Sequence, residues 1–192
     1  MEETIILNRL EKLKKMLSLD PERIEEAFCL SVYYGNHDCT NYCLSLQRDL
    51  PRRCPEAVSS AAFKSTSLLK TLLSLGGDHN AEDGKPLAYA SALGKTDRIK
   101  ILFEAGADVH AGDDRALRWA ARNGRLEAAK LLLEHGADPK AAWFKAVTLS
   151  LSYGQLDILK LFLEDREVLH FLKTLPPDSS LRKRVSLDLL KS

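Results

Sequence analysis

DRALRWAARNGRLEAAKLLLEHGAD, residues 114–138, is the stretch that decides the fold of this chain. Apolar residues recur three and four positions apart in two short segments, from Leu117 to Ala121 and from Leu126 to Leu133, which indicates two amphipathic helices. Each segment runs into a glycine, Gly124 or Gly136, the residue that best supplies the positive φ closing a helix. The stretch therefore predicts a helix–turn–helix unit.

The same unit returns every thirty residues along the chain. The positions in this step are the lysines Lys70, Lys100, Lys130 and Lys160 and the glycines Gly94, Gly124, Gly154, Gly76, Gly106 and Gly136. Isolated helices shorter than roughly 12–15 residues are marginal in water. Each pair must therefore bury its apolar stripe against the next pair, which predicts an array of stacked repeats.

The unit resembles an ankyrin repeat, in which the second helix is followed by Gly-Ala-Asp-Val-Asn-Ala. The corresponding endings are GADVHA at Gly106–Ala111 and GADPKA at Gly136–Ala141. A weaker ending, GGDHNA, stands at Gly76–Ala81. The resemblance is specific over residues 81–164 and weaker, but in register, over residues 52–80.

This resemblance implies an all-α fold: one ankyrin-repeat solenoid of about five helix-turn-helix repeats, spanning residues 1–192, with helical caps. The repeats are expected at 22–50, 52–80, 81–111, 112–141 and 142–168. An N-terminal cap helix over 1–20 and a C-terminal cap over 169–192 should close the ends, as solenoids require. Within the second cap, the sequence predicts a helix over 180–191 with Ser180 at its N-cap.

The fingers that join successive repeats should be short. The family unit has about 33 residues, and the residues missing from this unit fall between Gly-Ala-Asp and the next helix, where the family has a β-hairpin. The family's Thr-Pro-Leu-His opening is also eroded here, for example to Arg115-Ala116-Leu117-Arg118. Short units of this type resemble ankyrin proteins of large DNA viruses, bacteria and phages. We expect short hairpin fingers and a fold that depends mainly on apolar burial.

Composition excludes several broad classes of function. Of 192 residues, 45% are hydrophobic and 29% are charged, and the net charge is +1, so the chain has no general bias toward nucleic acid or anionic membranes. The start, Met1-Glu2-Glu3, lacks the basic residues of a secretory signal. We expect a cytoplasmic protein, in its source cell or in a host cell, with free thiols.

The cysteines allow two interpretations. Cys39 and Cys43 lie four residues apart, with His37 nearby and Cys54 further on, a set that zinc could use. Aligned with the later repeats, however, Cys39 and Cys43 take the places of stripe residues, and free cysteine packs as a small hydrophobe. We favour packing and expect no metal or other cofactor.

The remaining polar residues show no pattern of a catalytic site. His79, His110 and His135 stand near repeat boundaries without a helical ligand spacing, and no nucleophile–base pair is evident, so we expect no enzyme activity. Lysines three residues after an acid, as in Glu127–Lys130, indicate a solvated outer face. Arg182-Lys183-Arg184 with Arg52-Arg53 could form a nucleic-acid patch, but acids flank the first cluster and we favour a polar cap surface.

The best candidates for binding a partner precede the glycine that ends each first helix. In ankyrin proteins these positions face the concave groove, where partners commonly bind. Tyr, Trp and Arg, which occur there in this chain, are the types enriched at binding hot spots. The candidates are Tyr33, Tyr34, Phe63, Leu93, Trp119, Arg122, Asn123 and Tyr153, with Asp113, Asp114 and Arg115 of the fingers at the rim. The alternative is that the large side chains pack between neighbouring helices.

The resemblance implies a module that binds another protein through its groove. Because repeats and caps nearly consume the sequence, we expect that binding inhibits or sequesters the partner. An alternative is a structural adaptor or a homodimer formed through the apolar groove. Nucleic-acid binding through the basic cap is a third hypothesis, and it predicts an affinity that falls steeply with salt.

Overall fold

The computed structural model describes residues 2–176 and 179–185, with side chains from residue 9 onward. The chain divides into two compact units, Met1–Glu82 and Asp83–Ser192. Every regular element in the described residues is a helix, which confirms the all-α prediction. None of these helices is long and apolar enough to cross a membrane.

The first unit contains the N-terminal helix and two helix pairs. Its elements are α1 (Glu2–Leu19), a 3-10 turn (Pro21–Arg23), α2 (Ile24–Tyr33), α3 (His37–Leu46), α4 (Leu50–Arg53), α5 (Pro55–Lys64) and α6 (Thr66–Ser74). Helix α2 packs against both α3 and α5, and α1 packs against α3. The fully buried side chains of this unit include Phe28, Val32, Cys43, Leu50, Val58, Leu69 and Leu72.

The second unit contains three further pairs and a last helix. Its elements are α7, which begins at the unit boundary (Ala81–Leu93), α8 (Thr96–Glu104), α9 (Ala111–Arg122), α10 (Leu126–Glu134), α11 (Ala141–Ser152), α12 (Leu156–Phe162), α13 (Arg166–Thr174) and a 3-10 turn (Arg182–Arg184). We call the first helix of each pair inner (α2, α5, α7, α9, α11) and the second outer. Helix α9 packs against α10 and α11, and the stripe residues Leu117, Leu132 and Leu159 are fully buried.

The recurring glycines close the helices with one hydrogen-bond pattern. After α7, the Gly94 N–H donates to the Ser91 carbonyl at 3.0 Å, and the Lys95 N–H donates to the Ala90 carbonyl at 2.9 Å. This is the Schellman motif, which needs a left-handed residue at the glycine position. Gly94, Gly124 and Gly154 have φ of 70, 68 and 70°. The thirty-residue glycine step thus marks helix ends, as the sequence predicts.

The aspartate of each Gly-Ala-Asp or Gly-Gly-Asp ending forms a turn of its own. One carboxylate oxygen accepts a hydrogen bond from the backbone N–H two residues later: Asp78 from Asn80, Asp108 from His110 and Asp138 from Lys140, at 2.8, 2.9 and 2.9 Å. In such an Asx turn the side chain accepts the hydrogen bond of a backbone N–H, which favours a turn over continuation of the helix. They redirect the chain toward the next inner helix.

The fingers differ from the predicted hairpins. No strand forms in the described residues, and α9 and α11 instead begin with three residues in the left-handed region. These are Gly112–Asp114, with φ of 62, 55 and 54°, and Ala142–Phe144, with φ of 49, 57 and 57°. The shortened unit leaves too little chain for two paired strands. A left-handed turn makes the same connection, at a cost of roughly 1–2 kcal/mol for each non-glycine residue.

The C-terminal cap also differs from the prediction. The described residues after Ser180 form one 3-10 turn, not the start of an α-helix, and the side chain that accepts a hydrogen bond from the Arg182 N–H is Ser179, at 3.1 Å. Residues 186–192 lie outside the described residues. The sequence analysis also missed α13, whose Val168 and Leu172 are fully buried.

Gly154 offers a test of the helix-closing motif. Its φ is 70°, and a Cβ added there would meet no atom within 4 Å, so Gly154→Ala isolates the backbone strain. We expect a loss of about 1 kcal/mol in the free energy of unfolding, measured by urea denaturation. Gly154→Asn should lose less, because asparagine tolerates the left-handed region. An equal loss in both variants would contradict this explanation.

Candidate functional site

Aromatic side chains remain exposed where two inner helices of the first unit end. Tyr33, Tyr34 and Phe63 are 56, 71 and 43% exposed, although each is large enough to anchor a core. The Tyr33 and Tyr34 rings meet edge to face with centroids 5.2 Å apart. The Lys64 Nζ lies 5.7 Å from the Tyr33 centroid and 5.4 Å from that of Phe63, in cation–π range. We call Tyr33, Tyr34, Phe63 and Lys64 the aromatic group.

An apolar pocket of about 330 Å³ opens beside the aromatic group. Tyr34 forms part of its wall, and the other lining residues come from α1, α2 and α3 and the turn between α2 and α3: Arg9, Leu13, Met16, Ala27, Leu30, Ser31, Asn36 and Cys39. The sequence analysis did not anticipate this pocket. It depends on how α1 crosses the first pair, which periodicity does not determine.

The candidate residues of the second unit divide into packed and exposed ones. Trp119 is half-buried, and its ring contacts that of Tyr89 with centroids 5.5 Å apart, so it packs between neighbouring inner helices. Arg122 is exposed, and its guanidinium lies 5.0 Å from the centroid of Tyr153, which is 50% exposed. Asn123 is exposed as well and donates from Nδ2 to the Trp119 carbonyl at 2.8 Å. Leu93 is half-buried.

The three finger residues have different surroundings. Asp113 is exposed, as a rim residue should be. Arg115 donates to Asp83 at 2.9 Å, and Asp83 also accepts from the Gly112 N–H at 3.1 Å, so this pair ties two successive fingers together. The rim position predicted for Asp114 does not agree with the structure, because Asp114 is only 4% exposed.

Asp114 is instead a buried link between repeats. Its Oδ1 accepts a hydrogen bond from the Asp138 N–H at 2.9 Å, and its Oδ2 lies 3.3 Å from Nδ1 of His110. The left-handed turn directs this carboxylate inward, where it binds the backbone N–H of Asp138. This hydrogen bond links the finger at the start of α9 to the turn that ends the same repeat and leads into the next.

Trp143 is an exposed residue that the sequence analysis missed. It lies in the left-handed turn at the start of α11 and is 93% exposed, while the next residue, Phe144, stacks on Phe171 with centroids 4.2 Å apart. The thirty-residue alignment could have identified Trp143, since the equivalent positions in the two preceding fingers are Asp83 and Asp113. A large exposed ring at a position where two other fingers have aspartate is a candidate for contact with a partner molecule.

The cysteines occupy the core of the first unit. Cys39, Cys43 and Cys54 are buried, and Cys29 is half-buried. Burial raises the pKa of the Cys43 thiol to about 11 and also raises the pKa of Cys29, Cys39 and Cys54. In the part of the chain that the structure describes, no three His, Cys, Asp or Glu side chains are grouped so that they could hold a metal ion. The packing interpretation agrees with this burial.

Three of the five basic residues in the two short clusters, Arg53, Arg182 and Arg184, have partners within the chain. Arg53 pairs with Glu25 and, at 3.8 Å, with Asp49. Arg182 donates to the Leu172 carbonyl at 3.1 Å, and Arg184 donates to the carbonyls that end α11. Cations at helix C-termini are favourable because they offset the negative end of the helix dipole. These arginines therefore have structural roles.

Residues 56–142 match the family model for ankyrin repeats in three copies. These residues are ankyrin repeats. A search of curated proteins found no match. Ankyrin repeats are generally protein–protein interaction modules, and the family is a non-catalytic interaction fold. Fold alone does not identify what a particular member binds.

Asp114 and Asp113 provide a matched pair of substitutions in one finger of this ankyrin-repeat protein. Asp114→Ala leaves the Asp138 N–H without its partner, and we expect a loss of about 1–3 kcal/mol in the free energy of unfolding. Asp113→Ala, at an exposed neighbour with the same backbone conformation, makes the same change in the left-handed region without breaking a link between repeats, and should lose about 1 kcal/mol less than Asp114→Ala. Urea denaturation measures both, and similar losses would contradict the assigned role of Asp114.

The raised pKa values predict slow thiol chemistry. Because the thiolate is the reactive form, the native ankyrin-repeat protein at pH 8 should react with a disulfide reagent such as Ellman's at least about a hundredfold more slowly than the denatured chain. Absorbance of the released thiolate gives the rates. A Cys29→Ser variant identifies the contribution of the half-buried thiol. Rapid labelling of Cys39 or Cys43 in the native protein would contradict their burial.

Proposed function

We propose that this ankyrin-repeat protein binds a protein partner through the exposed ends of its inner helices, the surface that faces the groove in the family. The observation that carries the proposal is the aromatic group, whose Tyr34 remains 71% exposed in a unit that buries Phe28 completely. Exposed aromatic clusters of this kind mark interaction sites. Ankyrin repeats are generally protein-binding modules, which supports the same conclusion.

The aromatic group has the properties of a binding anchor. Tyrosine and phenylalanine contribute large contact areas at a low cost in side-chain entropy. The Lys64 ammonium beside Tyr33 and Phe63 limits the freedom of the rings before a partner arrives. The adjacent apolar pocket could receive one side chain of the partner.

The candidate binding residues of the second unit are more polar. Arg122, Asn123 and Tyr153 are exposed at the ends of α9 and α11, and Arg122 lies over the Tyr153 ring. Arg and Tyr are frequent hot-spot residues because they combine apolar area with hydrogen bonding. Exposed Trp143 extends the contact surface of this unit to a finger. Leu93 and Trp119 are half-buried, and the Trp119 ring packs against that of Tyr89.

Affinity capture from a lysate of the source or host cell tests this proposal. The baits are the wild-type chain, a Tyr34→Ala, Phe63→Ala, Tyr153→Ala variant, and an outer-helix control, Lys70→Ala, Lys160→Ala. We expect proteins that the wild type and the control retain and that the aromatic variant loses by about tenfold or more, quantified by mass spectrometry. Equal capture by all three folded baits would refute the assigned surface.

Two further measurements separate the consequences of binding. Assaying the captured partner with increasing amounts of the purified chain tests inhibition or sequestration, which predicts a stoichiometric loss of the partner's activity. Sedimentation velocity tests the alternative of a homodimer. A stable dimer that the Tyr34→Ala, Phe63→Ala substitutions dissociate would favour self-association over binding of another protein.

A further inference from the structure

Charge is divided unevenly between inner and outer helices of the second unit. The inner segments 85–95, 115–125 and 145–155 contain no Asp or Glu. Their basic residues are Lys85, Lys95, Arg115, Arg118, Arg122, Arg125 and Lys145. The outer segments 96–106, 126–136 and 156–166 contain seven acidic and five basic residues. Although the net charge of the chain is only +1, the inner segments of this unit are distinctly cationic.

Three of these cations stand at or just after the C-terminal ends of α7 and α9. Arg125 lies against Gly94, where a Cβ would come within 3.0 Å of the Arg125 Cδ, and its Nε donates to the Ala92 carbonyl at 3.1 Å. Lys95 follows Gly94 directly, and Arg122 precedes Arg125 by three residues. All three side chains are exposed. We call Lys95, Arg122 and Arg125 the cation cluster.

The cation cluster lacks acidic partners within the described part of the chain. No carboxylate there forms an ion pair with Lys95, Arg122 or Arg125. The acids of the inner face stand at the other end of the helices, in the fingers, where Asp83 pairs with Arg115 and Asp113 is exposed. From Arg115, the first residue after the left-handed turn, to Arg122 the helical rise amounts to roughly 10 Å. These positive charges are not offset by a carboxylate of the described chain, and an anionic ligand would offset them.

From this arrangement we propose that the cation cluster binds the carboxylates of an acidic segment of a partner protein, with an apolar or aromatic side chain of that segment against the Tyr153 ring. This inference rests on the proposed function and names the chemistry of its partner. Arg122 and Arg125 can each hold a carboxylate through two N–H groups, and Lys95 adds a point charge. The acidic fingers orient the segment, because they repel carboxylates from the other end of the inner helices.

A protein segment fits the surface better than a nucleic acid does. Nucleic-acid binding requires cations along an extended path, since each phosphate contact contributes separately. Here the three cations stand near the ends of two helices, and Asp113 lies on the same helix as Arg122. Asp83, also exposed, places further negative charge at the finger end. A short acidic segment avoids these carboxylates, whereas a longer polyanion cannot.

Fluorescence anisotropy with labelled probes and the full chain tests the inference. The probes are a peptide of four Asp-Glu-Tyr repeats, its neutral counterpart of four Asn-Gln-Tyr repeats, and a dodecamer of deoxythymidine. The variant Lys95→Gln, Arg122→Gln removes two charges from the cluster. The control Lys100→Gln, Lys130→Gln removes two exposed charges from outer helices, so the two proteins have the same net charge.

We expect the wild type to bind the acidic peptide and to bind the neutral peptide and the oligonucleotide more weakly. The cluster variant should bind the acidic peptide about tenfold more weakly, the control within about twofold of the wild type, and added salt should weaken binding. Similar losses in both variants, no preference for the acidic peptide, no binding up to about 1 mM, or tighter binding of the oligonucleotide overturns the inference.

Failure here is distinguishable from failure of the proposed function. If capture depends on the aromatic residues while the peptides show no dependence on the cluster, a protein partner remains and only its acidic chemistry is refuted. If capture shows no dependence on the aromatic residues, the proposed function itself fails. Thermal or urea unfolding of each variant establishes that it is folded, and Arg125 is left intact because its Nε caps α7.

Discussion

The structure depends on one constraint: helices of 7 to 13 residues in the repeats cannot persist alone, so each must bury one face against its neighbours. Residues such as Leu117 and Leu132 meet this demand and are fully buried. The stacked faces are therefore committed to stability and are closed to ligands. Only the remaining exposed side chains are available to a ligand, and most of the candidate residues lie among them, near helix ends and in the fingers.

Closing so many short helices requires special backbone conformations at regular positions. The glycines at the helix ends supply positive φ, and the aspartates of the Gly-Ala-Asp or Gly-Gly-Asp endings form the turns that follow. The fingers of the second unit use non-glycine residues in the same region, including Asp113 and Trp143. These strained residues persist because neighbouring contacts hold them, as the Asp114–Asp138 hydrogen bond illustrates. The short repeat is thus maintained by polar links as well as by apolar burial.

The inner and outer helices also separate two kinds of charge. Outer helices carry compensated pairs, such as Lys130 with Glu127 at 2.8 Å and Lys160 with Asp157 at 3.7 Å, and such exposed pairs contribute little. The inner helices of the second unit carry cations without nearby acids around Arg122, next to the exposed Tyr153 ring. A solvated face needs no such imbalance. Exposed aromatic residues beside charged residues without an ion-pair partner are typical of surfaces that bind another molecule.

The sequence by itself determined the helical fold, the thirty-residue unit and the helix ends, because periodicity and glycine placement act locally. It also indicated that Tyr33, Tyr34, Phe63, Arg122 and Tyr153 stand near helix ends. Only the tertiary structure decided which candidates are available. Asp114 is buried, Arg115 is paired, Trp119 is packed against Tyr89 and Trp143 is exposed. The left-handed fingers, α13 and the pocket beside Tyr34 likewise depend on contacts between distant residues. Whether a side chain is exposed or paired depends on the residues of the neighbouring helices that face it. A local sequence pattern does not specify those residues.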